Sequence, residues 1–316
     1  MDSSMGLIAE TLKRKWLDVS FQTGGQRVDI FERPGRWMSS DRLRRLQSDM
    51  EAVAISSLEA GKLDYGVFAE ETSAFDNTIV TLVRRLDDDR PIAFNALSLM
   101  DISAFGADCR VVHLGLVMVD ANERNKGLSW ILYGLTCLLI FVRGGMRPTY
   151  VSNVTQVPAV VGMVSETFSE VCPTPSDSKP KDFRKILIAR EIMANHRHVF
   201  GVGDDATFEE QRFIIRNAYT GGSDDLMKTF EDAPQHRDAQ YNDWCAKMLN
   251  YDRGDDFLQI GVIDLYAAQR YVTRTVPRKS ILQVAVLGAL VVMRRALLPV
   301  FHWFDTKTDF GRIRAR

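Results

Sequence analysis

The stretch CRVVHLGLVMVDANERNKGLS, residues 109–129, decides the fold. Its first half, 109–120, is rich in valine and leucine and reads as a strand buried on both faces. A short polar turn at 124–127 follows. Then comes 128–142, almost wholly apolar, with Trp130, Leu132, Leu135, Leu138 and Leu139. Its length and its opening turn favour a buried helix, and it is short of the ~20 residues that a membrane span needs. A strand that turns tightly into a helix presents free N–H groups and a positive dipole end, a ready anion site. Gly127 lets backbone approach the anion closely, and Arg124 and Lys126 add positive charge. The junction suits a pyrophosphate.

Upstream, apolar residues recur at helical spacing over 40–58 (Leu43, Leu46, Met50, Val53, Ala54, Leu58), with Ser39 or Ser40 as cap and Gly61 as stop. Residues 78–83 and 92–99 are apolar and β-branched and flank the turn 87–91, an antiparallel hairpin. Downstream, Gly144 and Gly145 end the buried helix, 149–154 reads as a strand, and Pro158 opens a helix over 158–168. Beyond 181 the pattern weakens: 183–195 is helical, 207–217 helical or partly strand, 221–238 polar loop, and 241–249 and 258–270 shorter periodic pieces.

Arg124-x-x-Gly127-x-Ser129 resembles the (Arg/Gln)-x-x-Gly-x-(Gly/Ala) signature of the GNAT N-acetyltransferase superfamily, with Ser129 where Gly or Ala is usual. The order of elements from 40 to 173 is similar to the family's. The resemblance implies an α+β fold, a GNAT-like mixed central sheet flanked by helices, and acyl-CoA, acetyl or long-chain, as co-substrate. It implies that the backbone of Leu116, Val117, Met118 and Val119 pairs with the pantetheine arm. The amides of Asn125, Lys126, Gly127, Leu128 and Ser129, beside Arg124, would hold the pyrophosphate. Asn153 would touch the cofactor or the following loop, or form a turn. Some members of similar layout carry a carboxylate base on the central strand; the matching position here is His113. Its unperturbed pKa suits a general base, and a buried structural histidine is the equal alternative. Asp120 and Glu123 read as groups that solvate or cap the turn.

The chain has 316 residues, 46% of them hydrophobic, and a net charge of −1, which excludes disorder and a whole-chain nucleic-acid binder. Cys109, Cys137, Cys172 and Cys245 show no metal-ligand spacing and read as reduced, so the cytosol is expected; 1–22 carries no secretory pattern. His196, His198, Asp204 and Asp205 match no standard metal site, and none is expected. Asp252, Asp255 and Asp256 lack EF-hand spacing and read as a solvated turn.

Charge is uneven: 274–316 carries +7 and the preceding residues −8. Two apolar blocks, 281–293 and 296–301, are separated by Arg294 and Arg295 and followed by Trp303, and Pro299 is expected to bend or end the helix. This apolar, basic helical extension suits a helix lying on an anionic membrane surface, peripheral on the inner face of the cytoplasmic membrane; packing on the body or in a homodimer is the alternative.

The expected organisation is an N-terminal segment (1–39), a GNAT-like acyl-CoA-binding domain (40–200), a C-terminal part of that domain or lid (201–273) and a docking tail (274–316). The expected activity is acyl transfer from acyl-CoA to an amine, with a membrane amphiphile such as a sphingoid base or lipid amine as acceptor. That combination looks like bacterial GNAT-type ceramide synthases or other lipid-forming N-acyltransferases. An acetyltransferase acting on a soluble amine, or a non-enzymatic acyl-CoA-binding member of the fold, stand as alternatives.

Overall fold

The computed structural model describes residues 16–58, 63–69, 71–104, 107–124, 126–176, 182–304 and 307. Lys13, Arg14, Lys15, Gly61, Asn125 and most of 305–316 lie outside the described residues.

An eleven-stranded sheet organises the described chain. Its strands are β1 (Asp18–Thr23), β2 (Gln26–Glu32), β3 (Thr78–Arg85), β4 (Pro91–Ala104), β5 (Ala107–His113), β6 (Val117–Val119), β7 (Thr149–Thr155), β8 (Ser169–Cys172), β9 (Thr207–Glu209), β10 (Ile214–Arg216) and β11 (Asp256–Ile263). They run in the order β1-β2-β3-β4-β5-β7-β11-β10-β9, with β6 beside β4 and β8 beside β11. Every pairing is antiparallel except β5 with β7, which is parallel over Val111–Tyr150, Val112–Val151 and His113–Ser152. The class is α+β, a mixed central sheet flanked by helices with a C-terminal helical extension, as expected from the sequence.

β3 shows why the sheet sits in the middle. Ile79 and Val83 join a core on one face, and Val80 and Leu82 join another core on the opposite face, the alternation of a strand covered on both sides. The second face carries α1 (Ser40–Ser57), capped by the Ser39 hydroxyl on Arg42 N–H. Leu43, Leu46, Met50 and Val53 of α1 meet Val80, Leu82, Phe94 and Met118. Further along that face α4 (Phe183–Glu191) lays Ile188 and Ala189 against Val111, Leu258 and Ile260. The first face carries α2, a π-helical turn Trp130–Leu135 continued as α-helix Thr136–Arg143, together with α6 (Leu265–Arg274) and α7 (Ile281–Phe304). α3 (Pro158–Thr167) and α5 (Ala239–Met248) share a smaller core around Val161, Cys245 and Phe257.

Several expectations are corrected. Of the two readings of 207–217 the strand one holds and the helical one does not: it forms β9 and β10, at one edge of the sheet. The segment 258–270 divides into most of β11 and the start of α6. The hairpin β1–β2 was not read at all. Pro299 does not end α7: it lies within a helix that continues to Phe304.

The π-turn in α2 has a local cause. Wide i→i+5 turns leave carbonyls poorly satisfied, and two of them find side chains: Trp130 O accepts from Tyr271 Oη at 2.7 Å, and Leu132 O accepts from Asn95 Nδ2. Gly134 lies flat under the Tyr271 ring, where any Cβ would collide with it. Gly134→Ala therefore overpacks a buried contact between α2 and α6, and a loss of about 1–3 kcal/mol is expected in chemical denaturation. An unchanged midpoint would mean that the ring and helix can separate freely.

Candidate active site

The parallel pair β5–β7 does not stay together. Its last bond is Leu114 N–H to Ser152 O at 2.7 Å. Beyond it, the chain leaves β7 but keeps to β4, which β5 already borders, with Ala93, Phe94 and Asn95 opposite Val119, Met118 and Val117. Gly115 sits at this switch because a Cβ there would run into the Ala96 carbonyl. β7 continues straight to Thr155. A wedge-shaped cleft of about 230 Å³ opens between the two, lined by His113, Leu114, Gly115, Leu116 and Val117 on one side and Asn153, Val154 and Thr155 on the other.

The ladder decides which backbone groups face this cleft. Ala96 N–H donates to Leu116 O and Asp120 N–H to Ile92 O, at 2.9 and 2.8 Å. Leu116, Met118 and Asp120 thus direct their polar groups at β4, and alternation turns those of Val117 and Val119 away from it. Of the four strand residues expected to meet a pantetheine arm, only two offer backbone on the cleft side. Val119 O already accepts from Ser57 Oγ at 2.9 Å; Val117 lines the cleft.

The strand ends in the signature turn. Asp120 caps it by accepting from Asn122 N–H at 2.9 Å and is paired with Arg90. Glu123 is buried and paired with Lys126 at 2.9 Å, and Arg124 Nη2 donates to Ser57 O at 2.8 Å. Leu128 is buried and anchors the start of α2, while Lys126, Gly127 and Ser129 are exposed. Gly127 has φ +76°, which other residues adopt only with strain, and nothing stands within 4 Å of where its Cβ would be. Ile131 N–H and Leu132 N–H both donate to Leu128 O, so the residues before them form the first turn of α2, where a helix has donors to offer. Asn125 lies outside the described residues.

His113 is 2% exposed, and its Nδ1 is 3.0 Å from Ser152 Oγ. Its ring stacks on Phe200 at 4.9 Å between centroids. Burial lowers its pKa to about 3, so it is neutral over the ordinary range. Asn153 Nδ2 donates to Gln259 Oε1 at 3.3 Å across β7 and β11.

The group that sequence reasoning missed is Asp256. The expected solvated turn does not hold for it: Asp255 is buried and paired with Arg253 at 2.6 Å, and Asp256, 4% exposed, lines the cleft. Tyr219 Oη donates to Asp256 Oδ1 at 3.0 Å. Burial pushes the Asp256 carboxyl up to about 8; the Tyr219 hydrogen bond opposes that rise and the Asp255 charge adds to it. Tyr65, Tyr133 and Tyr219 line the same cleft, and burial raises all three, Tyr133 to about 12. The far wall comes from 65–68, 199–202 and 218–228, segments with no signature in the sequence. The one available signal was an aspartate opening the apolar run Asp256–Ile263.

No family model matches the chain, and no curated protein matches it. Among solved structures it is similar to the ribosomal-protein-S5-alanine acetyltransferase of Vibrio fischeri, at 10% sequence identity and a TM-score of 0.34, over 79% of this chain and 99% of that chain. A likeness of that strength says nothing of what this chain binds. Among the described residues no group of three or more His, Cys, Asp or Glu could hold a metal ion.

The raised carboxyl has a consequence for stability. Asp256 keeps its proton in the folded chain up to about pH 8, whereas the unfolded chain loses it around the ordinary 3.8. Across that window the folded state holds the extra proton, so stability is highest at the acid end and falls as pH rises towards 8. Asp256→Asn removes this slope, and denaturation curves of the variant and the parent should diverge steadily from pH 4 to 8. Parallel pH dependences would mean that the carboxyl ionises normally.

Proposed function

We propose that this chain is an acyl-CoA-dependent N-acyltransferase of the GNAT type. The observation that carries the reading is a strand edge left open inside a cleft and leading directly to a glycine-bearing helix N-terminus, with an uncharged carboxyl on the cleft wall. The open edge at Val117 suits the amide groups of a pantetheine arm, which bond backbone as a strand would. The donors of the first turn of α2, with Gly127 holding the backbone close, suit a pyrophosphate, and Arg124 and Lys126 add positive charge at its rim.

In the proposed reaction the acceptor nitrogen attacks the thioester carbonyl, the C–S bond breaks and the thiolate of coenzyme A leaves. The nitrogen must lose a proton, and a base works best when its pKa lies near the working pH. Asp256, near 8, meets that condition. His113 is too weakly basic to hold a proton at neutral pH; in this reading it is a neutral wall residue that hydrogen-bonds through Ser152. The hydroxyls of Tyr65 and Tyr133 supply neutral donors on the cleft wall, while that of Tyr219 is spent on Asp256.

For the acceptor we favour an amphiphilic amine, such as a sphingoid base or a lipid amine. What supports this is the apolar part of the lining, contributed by Phe68, Leu116, Val157, Val160, Val199 and Leu226.

Incubation with mixed acetyl- and long-chain acyl-CoA and amines, followed by mass spectrometry, tests the reading. Retained acyl-CoA and an N-acylated amphiphile are expected; an N-acetylated soluble amine would move the acceptor class, and no bound CoA species would end the reading. Asp256→Asn should lower kcat roughly 100-fold or more, the usual reach of a general base, with acyl-CoA affinity kept. Gly127→Val should instead weaken acyl-CoA binding, because it strains the backbone and fills the anion surface. If His113→Ala abolishes turnover in a folded protein while Asp256→Asn does not, the roles given to the two residues are reversed.

A further inference from the structure

α7 is one unbroken helix of 24 residues, about 36 Å long at 1.5 Å per residue. One face is fixed to the body. Val284, Leu287 and Val291 are buried in the core with α2, and Leu298 is buried further along the helix. Its start is tied to the β1–β2 hairpin by Thr23 Oγ1 to Ser280 Oγ at 3.0 Å and Gln283 Nε2 to Gln22 O at 2.8 Å. Arg294, read from sequence as a break between two apolar blocks, turns inward: it is buried, and its charge reaches Arg143, which is itself paired with Glu32.

With Arg294 turned inward, an exposed apolar stripe runs along α7 among the described residues. Leu282, Val286, Met293, Val300, Trp303 and Phe304 are all exposed, the last two at 82% and 83%, and the exposed positions between them include Ala289 and Ala296. A helix apolar on both faces needs cover on both. The charge around this face decides what the cover is. Residues 265–304 contain six Lys or Arg and no Asp or Glu, and Arg274, Arg278 and Lys279 are exposed where α7 begins. A second copy of the chain laid along the stripe in either sense would find no carboxylate on the partner helix to answer these charges. Among the described residues no single stretch passes as a membrane span; α6 and the part of α7 up to Arg294 pass together, but with a bend of 117° between them.

We infer that the outer face of α7, with the basic residues at its start, docks flat on an anionic lipid surface. The apolar stripe enters the boundary between headgroups and acyl chains, Trp303 sits at the headgroup level, and Arg274, Arg278 and Lys279 meet the lipid phosphates. This stands apart from the acyl-transfer reading, because partition reads it and turnover does not.

The test is co-sedimentation of the full chain with phosphatidylcholine vesicles, with and without phosphatidylglycerol. The wild type should bind the phosphatidylglycerol vesicles at least tenfold more strongly, and added salt should weaken that binding. Met293→Asp paired with Val286→Asp should reduce binding about tenfold by charging the stripe, and Arg278→Glu with Lys279→Glu should do the same by reversing the rim. All four positions are exposed, and circular dichroism and melting temperature should match the wild type. Binding blind to phosphatidylglycerol, or unchanged in both variants, overturns the inference. So does a dimer in light scattering that Met293→Asp splits and vesicles do not, which would assign the face to a second copy.

Discussion

The hydrogen bond from Leu114 N–H to Ser152 O marks where two parallel strands part, and the rest of the molecule is arranged around that parting. A parallel pair buried in a sheet has no reason of its own to separate, since each lost ladder bond leaves polar groups to be satisfied elsewhere. Here the departing strand is held by β4, and only a glycine at 115 can pass the Ala96 carbonyl on the way. β4 is long enough to pair with β5 through one end and with β6 through the other. The cost of opening the sheet therefore falls on the two strand edges that face each other, and those edges are the walls of the cleft.

The same parting fixes what stands on either side. The chain leaving β6 must turn at Asp120 and enter α2, so the helix start is held beside the open edge. α2 is in turn locked to the sheet by buried polar contacts, Thr81 with Thr136 and Asn95 with the Leu132 carbonyl. On the other side β7 continues to β11, whose first residue is Asp256. A carboxyl on the cleft wall and a helix start at its mouth are placed by a single strand topology, through the two partners that the parted strands keep.

Much of this was legible from residue patterns, and the reason is burial. Helix α1, the hairpin β3–β4, the buried helix α2, and β7 with α3 are long, strongly periodic and covered by other elements, so their sequences show the core they face; the single strand expected over 109–120 is instead divided into β5 and β6 by the turn away from β7. The signature turn was legible because its glycine has a backbone task. What escaped is made of short pieces. β9 and β10 have three residues each, too few for a period to show. β1 and β2 alternate weakly, because part of each faces solvent. Asp256 was unreadable for a different reason: its character comes chiefly from burial and from Tyr219, 37 residues away in sequence. Arg294 likewise turns inward, beside Arg143 on another helix, through packing that its own neighbours in sequence do not show.

The tie between Thr23 and Ser280 spans 257 residues. A chain made from its N-terminus at a few residues per second cannot form this contact until α7 has emerged. The β1–β2 hairpin, at one edge of the sheet, waits through the synthesis of those residues without the helix that packs on its apolar face. An apolar face left bare invites association with other chains, so the nascent chain is open to self-association there until α7 emerges.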